Sequence, residues 1–488
     1  MSASAMTSLF SCFRPRRGRA PMAALVCALA VALCGCQFPF GKRAATVPEP
    51  VAPQPACVVL ALPASGPYAP IAAKIKRGAD AARRELAGAG ATLRLENVNT
   101  EAPNWLETLA ALPASCAVVG GPLRDTAYEQ ARKAGALEQR AFFSFVPTLK
   151  SGDEGARAWR FFPSPQDQID ALVGFATDDL GIRSYGAFHP GDAYATRMAG
   201  ILAQTLGGRH IPLRQATYKA ADPTSWSDAA VPLVNPVTAE GSSTPVPQTE
   251  FEALFLPDSW KNIDMITQSL LYNGEDRLVL LGTTLWEQGL SGKQVPRAEN
   301  FALAVFPGAW NAQRAPGALK GPGNDFWTAL GYDFVNFATA MALESRLTTP
   351  EVTARAARAA TQVRAMAPLA YDNAGVAHQK LYLFQVSPSG MKPLDTAQFR
   401  ETRAAVLERA ALRMQGLPSV DAQGNPLVPG APGAPASPAA ASADGAALSG
   451  VSPAASPAQV TGTAPGTPAA PLDTTPRPSY KLRLPGSR

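Results

Sequence analysis

The sequence predicts an α/β fold, parallel sheet flanked by helices, and three observations carry that expectation. Short apolar runs alternate with longer amphipathic stretches across residues 57–416, the pattern of strands joined by crossover helices. Hydrophobic residues make up 46% of the 488, enough to bury a sizeable core and to exclude disorder of the whole chain. Charged residues are only 17%, with 46 Pro and 40 Gly filling the gap, so low-complexity segments accompany the globular part. At roughly 150 residues per domain the length allows about three domains, or one large two-lobed body with extensions.

In chain order, residues 57–62 (CVVLAL) read as a buried strand, and 67–86 as a helix with Ile71, Ile75, Ala79 and Ala82 on one side. A strand at 93–98, a helix at 105–112, a strand at 116–119 and a helix at 125–136 follow. Two more strands fall at 142–145 and 159–162, then a helix at 167–180, a strand at 185–188, a helix at 194–206 and a strand at 213–218. Residues 231–249 are rich in Pro, Ser and Thr and break the alternation, which reads as a surface insertion. The pattern resumes with a strand at 251–256, a helix at 263–272 and strands at 277–282 and 301–306. A long helix at 326–347, a hairpin-like stretch at 370–386 turning at Asn373-Ala374-Gly375, and a last helix at 396–415 complete the body.

The ends differ from this body. Residues 1–35 hold Arg14, Arg16, Arg17 and Arg19 with no acid, then an apolar run at 22–33 too short to span a bilayer comfortably, the layout of a signal peptide. The run ends Leu33-Cys34-Gly35-Cys36, which resembles the lipobox of bacterial lipoproteins and implies lipidation of Cys36; Gln37 after it resembles the signal for outer-membrane sorting. Residues 36–56 read as a flexible tether. Residues 417–488 are dominated by Ala, Pro, Gly, Ser and Thr, read as disordered, and end in a basic and apolar patch, Tyr480-Lys481-Leu482-Arg483-Leu484-Pro485. The formal net charge of +6 is thereby explained: four charges belong to the signal segment, and Lys481, Arg483 and Arg488 carry three more. The body is left near neutral, so a nucleic-acid partner is not expected.

Several stretches resemble type I periplasmic-binding proteins of the leucine-binding class. They are Leu62-Pro63-Ala64-Ser65-Gly66-Pro67-Tyr68 with Arg77-Gly78-Ala79, Gly120-Gly121-Pro122-Leu123, and His189-Pro190-Gly191-Asp192-Ala193-Tyr194. Leu280-Leu281-Gly282-Thr283-Thr284-Leu285-Trp286 and Gly331-Tyr332-Asp333-Phe334-Val335 complete the set. The resemblance implies two Rossmann-like lobes over residues 57–395, with the 396–416 helix beyond them and a ligand cleft at the carboxyl ends of the strands. Ser65, Tyr68, Gly121, Ser144, Phe145, Asp192, Tyr194, Asp258 and Trp286 are the candidate cleft residues. In the sheet order 2-1-3 expected of such a lobe, Cys57 and Cys116 begin neighbouring strands nearly level with each other, which implies a disulfide closing a loop of about 60 residues.

Departures from the amino-acid-binding pattern set the functional expectation. Gly121-Pro122-Leu123 replaces the usual small hydroxyl residues and looks more like the penicillin-binding protein activators, lipoproteins that stimulate peptidoglycan synthases by direct contact. Ser144-Phe145-Val146-Pro147 also lacks the small-residue run. Catalysis is not expected: His189, His210 and His378 are scattered, no zinc spacing occurs, no G-x-S-x-G occurs, and the Ser389-to-Lys392 S-x-x-K stands in a turn without companion motifs. No cofactor or metal is expected. The leading expectation is a non-enzymatic lipoprotein, anchored by its lipid in the outer membrane facing the periplasm, that activates or scaffolds a peptidoglycan synthase. The alternative is the capture component of an ABC importer for amino acids or similar small molecules, partnered by a permease.

Overall fold

The computed structural model describes residues 56–238, 240 and 245–415. The signal segment, Cys36, nearly all of the tether and the 417–488 tail lie outside the described residues.

Lobe 1 is a five-stranded parallel sheet in the order β2-β1-β3-β4-β5, made of β1 (Ala56–Leu62), β2 (Leu93–Asn99), β3 (Val118–Gly120), β4 (Ala141–Ser144) and β5 (Trp159–Arg160). Its inner strands β1, β3 and β4 are near-continuous apolar runs because helices cover both faces, whereas the edge strand β2 carries Arg94, Glu96, Asn97 and Asn99. These are α1 (Ala69–Gly88), α2 (Trp105–Ala110), α3 (Asp125–Lys133) and α4 (Ala136–Gln139). The chain then crosses to lobe 2 through α5 (Pro165–Gly174), which a Ser164–Asp167 capping box starts. A π-turn at Phe175–Asp179 continues it.

Lobe 2 is a seven-stranded sheet in the order β16-β15-β12-β11-β10-β6-β7. Its parallel strands are β6 (Tyr185–Pro190), β7 (Leu213–Tyr218), β10 (Ala253–Phe255), β11 (Val279–Leu281) and β12 (Ala304–Gly308); α6 (Ala193–Gly207), α8 (Trp260–Tyr272) and α9 (Leu285–Leu290) connect them. After β12 the chain returns to lobe 1 for α10 (Phe326–Met341) and α11 (Thr349–Ala359). It comes back through a hairpin, β13 (Leu369–Tyr371) and β14 (Ala377–Gln379), to the antiparallel β15 (Tyr382–Ser387) and β16 (Gly390–Pro393). The last helix, α12 (Thr396–Met414), packs on lobe 2, with Phe399 fully buried against Phe175.

Two differences from the sequence expectation have physical causes. The 231–249 stretch is not wholly an insertion. It begins inside α7 (Trp226–Val234), which buries Trp226, Ala230, Leu233 and Val234 and tolerates Pro232 internally; beyond it β8 (Pro236–Val237) and β9 (Val246–Pro247) form a small hairpin. The expected 326–347 helix stops at Met341, where Ala342 is left-handed, and a separate α11 starts at a Thr348–Glu351 capping box.

Cys57 and Cys116 form a disulfide with their Cα atoms 4.6 Å apart, Cys116 lying two residues before β3. The Arg140 guanidinium braces the same loop, donating to the carbonyls of Leu109, Leu112, Pro113 and Cys116. The bridge spans 59 residues, so reduction is expected to remove about 4 kcal/mol of unfolding stability. Urea unfolding with and without reductant checks this; coincident curves would contradict it.

Candidate functional site

The cleft walls are the loops at the carboxyl ends of the strands. On lobe 1, Ser65 is exposed and Tyr68 half-buried, its ring 5.4 Å from the Arg124 guanidinium, which also pairs with Glu101 at 2.7 Å. Gly121 has φ of +100°, and a Cβ there would stand 2.4 Å from the Ala61 carbonyl oxygen, so only glycine fits. The next residue, Pro122, offers no N–H. Ser144 is fully buried and its hydroxyl has no partner among the described residues, while Phe145 belongs to the lobe 1 core, edge-on to Phe334 at 5.2 Å. Two of the candidates on this wall therefore turn inward, because Ser144 still belongs to β4 and Phe145 continues the core-facing alternation of Phe143.

Lobe 2 brings its candidates closer together. The Asp192 carboxylate caps α6 by accepting from the Ala195 N–H at 2.8 Å. Tyr194, half-buried, has its phenol pushed up to about 12 by burial, with a hydrogen bond to Thr283 pulling the other way and the Asp192 charge adding to the rise. The Asp258 carboxylate accepts from Tyr218 Oη at 2.5 Å, the Ser259 N–H at 2.6 Å and Asn262 Nδ2 at 2.7 Å, which nearly saturates it. Trp286 is fully buried and donates to the Asp258 carbonyl at 3.1 Å, so it is core that fixes the Asp258 loop and not a ligand platform.

Two residues that sequence reasoning passed over belong to the cleft. Arg197, one helical turn beyond Tyr194, reaches across to lobe 1 and donates to Thr148 Oγ1 at 2.9 Å; its charge also opposes the burial that raises Asp125. The three-residue spacing from Tyr194 on α6 is the signal that could have found it. Glu287, in the first turn of α9, is half-buried, and its carboxyl is raised from 4.5 to about 7, chiefly by burial and further by the Asp325 charge. Asp325 itself pairs with Lys74 at 2.6 Å. A carboxyl raised in the folded state stabilises the fold below its unfolded value, and that contribution is lost as pH rises through 7. Glu287→Gln is therefore expected to match the parent near pH 4 and to exceed it by about 2–3 kcal/mol at pH 8. Urea unfolding at both pH values reads the difference, and an equal difference at both would contradict the assignment.

Behind the cleft, one buried guanidinium ties the segments that cross between the lobes. Arg160, 3% exposed, pairs with Glu154 at 3.1 Å and with Asp167, 5% exposed, at 3.0 Å, and donates to the carbonyls of Phe162 and Ala377. Asp167 also accepts from the Gln379 N–H, and Glu154 from the Ala377 N–H. The Ala367 N–H donates to the Ala309 carbonyl at 2.7 Å, and Gln379 Nε2 to the Ala367 carbonyl at 2.9 Å. The crossings after β5, after β12 and before β15 are thus one hydrogen-bonded unit. Among the described residues there is no cluster of His, Cys, Asp and Glu that could hold a metal, and no helix is long and apolar enough to cross a membrane.

No family model matches the chain, and no curated protein matches it. Solved structures do. A protein of Rhodospirillum rubrum assigned to a branched-chain amino acid ABC transporter superposes with a TM-score of 0.53 at 12% identity, over 70% of this chain and 100% of that one. Full-length LpoA of Haemophilus influenzae superposes at 0.50 and 16% identity over 70% of this chain, which spans only 59% of LpoA's length. The C-domain of that LpoA, described as a regulator of PBP1A, is 14% identical, with a TM-score of 0.49 over 70% of this chain and 100% of the C-domain. Likeness at such identities speaks for fold alone. The described body has the type I periplasmic-binding-like fold, two lobes of mainly parallel sheet flanked by helices.

Proposed function

We propose that this chain is a non-enzymatic lipoprotein of the cell envelope that activates or scaffolds a peptidoglycan synthase, anchored through Cys36 in the outer membrane. The observation that carries the reading is the lobe 1 wall. An amino acid held in the cleft would need donors and acceptors there, yet Pro122 has no N–H, Ser144 and Phe145 are buried, and Arg124 is engaged by Tyr68 and Glu101. The linked crossings support it too, since closure on a ligand works by rotation at such crossings and here a buried ion lattice joins them. The likeness to LpoA is compatible with the reading. Capture for an ABC importer is the second reading, favoured by the convergence of Asp192, Tyr194 and Thr283 on lobe 2 and by the Rhodospirillum rubrum likeness.

The two readings separate in a pull-down of membrane extract with the delipidated protein, run beside a thermal-shift screen of amino acids. The proposal expects a penicillin-binding protein in the eluate and no amino acid that raises Tm. A large rise with one amino acid, and no synthase captured, would sink it.

A further inference from the structure

We propose that α12 is a strap that comes off lobe 2 as one unit, held down by arginine pairs more than by packing, while the sheet beneath it stays folded. Of its 19 residues only Phe399 and Ala410 are buried. Phe399 is the one large apolar anchor, edge-on to Phe175 at 5.4 Å. The stripe that faces the lobe is Phe399, Arg403, Val406, Ala410 and Arg413, and it carries two arginines where a packed helix would carry large apolar side chains. Under the middle of the helix lies a cavity of about 170 Å³, walled by Leu270, Leu278, Leu280 and Leu303 of lobe 2 and by Val406 and Arg409 of α12. A gap of that size forfeits the contacts that would otherwise hold the helix down.

Three arginines supply what packing does not. Arg400 donates to the Asp179 carbonyl at 2.6 and 2.9 Å. Arg403 donates to the Glu252 carboxylate at 2.8 Å and to the Leu180 carbonyl at 3.3 Å. Arg413 donates to the Asp276 carboxylate at 2.8 Å and to the Gly274 carbonyl at 3.3 Å. These partners stand on the segments that lead into β6, β10 and β11, neighbours in the sheet, so α12 crosses the lower edge of lobe 2 strand by strand, on the side away from the cleft.

The pairs are open to water: the Arg400 and Arg413 side chains are 55% and 36% exposed, and Glu252 is 49% exposed. Ion pairs in such surroundings are weak, and salt screens them. The strands they touch are buried throughout, so the strap opens at a lower free energy than the sheet. Its entry stays fixed. The Leu394 N–H donates to the Leu383 carbonyl at 2.9 Å, and Asp395 caps the helix by accepting from the Ala397 and Gln398 N–H groups, so release pivots after β16. Release bares the Phe175 ring and the leucine floor of the cavity, whatever the cleft holds.

The test is native-state amide exchange of the delipidated full chain, across urea concentrations below the unfolding transition. Residues 400–412 are expected to share a single opening, at least about a hundredfold more frequent than that of β10 and β11, with a urea dependence that is real but smaller than that of global unfolding. Raising salt from about 0.05 M to about 0.5 M is expected to speed exchange at 400–412 several-fold and to leave β10 and β11 little changed. Arg403→Gln with Arg413→Gln is expected to speed exchange at 400–412 about tenfold at low salt and to remove most of the salt response. Amides in 400–412 that open only together with β10 and β11, or one by one without urea dependence, would overturn the proposal. So would exchange at 400–412 that is indifferent to salt or to the two substitutions.

Discussion

Gly331→Ala is expected to destabilise the protein by at least about 3 kcal/mol, a loss at the severe end for a single added methyl. A Cβ at Gly331 would lie 1.8 Å from the Ile75 carbonyl oxygen of α1, and one at Gly78 would lie 1.8 Å from the Thr328 carbonyl oxygen of α10. Backbone meets backbone at both points, so no flexible side chain is available to give way, and the two helices would have to separate along the core of lobe 1. Gly200→Ala is the control. It adds the same methyl in the exposed middle of α6 with nothing within 4 Å, and is expected to be neutral or stabilising by about 0.5–1 kcal/mol. Thermal unfolding of the pair checks both signs. Similar small effects at 331 and 200 would mean that α1 and α10 do not approach as described.

Arg160→Met is expected to cost about 3–5 kcal/mol, because it leaves Asp167 and Glu154 beside a buried, uncompensated site while keeping most of the side-chain volume. The loss should be accompanied by looser crossings between the lobes, read as faster amide exchange at the Ala377 and Gln379 N–H groups, which the two carboxylates accept. Arg160→Lys is expected to recover only part of the stability, since one ammonium does not reproduce a guanidinium bonded to two carboxylates and two carbonyls at once. A variant with unchanged exchange at these positions would show that the lattice does not hold the crossings together.

These two positions also show what was legible beforehand. The alternation of apolar runs and amphipathic stretches located most strands and helices, because parallel strands buried on both faces read as continuous apolar segments. The motif stretches were legible as a set but not in their individual meaning. Arg77-Gly78-Ala79 and Gly331-Tyr332-Asp333 face each other across α1 and α10, where the glycines permit close approach. Asp333 is fully buried and accepts the N–H groups of Arg364, Ala365 and Met366. They hold the core of lobe 1 and line no cleft. α9 and β16 are too short to show a period, and α11 is an alanine-rich helix whose signal was its capping box.

The candidate site was legible by loop and not by side chain. Naming the loops after β1, β3, β6, β10 and β11 required only that ligands sit at strand ends. Ser144 and Phe145 are buried because β4 runs through Ser144 and both faces of its sheet are covered by helices, and Trp286 is buried because α9 lays it against the lobe 2 core, so their side chains depend on where the elements end and not on the loop alone. Glu287 and Arg197 carried no motif. Their significance comes from Asp325 and Thr148, each far away in sequence and brought near by the fold.

We propose that this two-lobed body works by contacting a synthase and not by carrying a small molecule. The most direct measurement is the rate of glycan polymerisation by a purified penicillin-binding synthase from the same cell, with and without the delipidated protein at saturating concentration. A faster rate is expected with the protein present, unchanged by added amino acids. A rate indifferent to the protein for every such synthase, together with saturable binding of an amino acid, would contradict it.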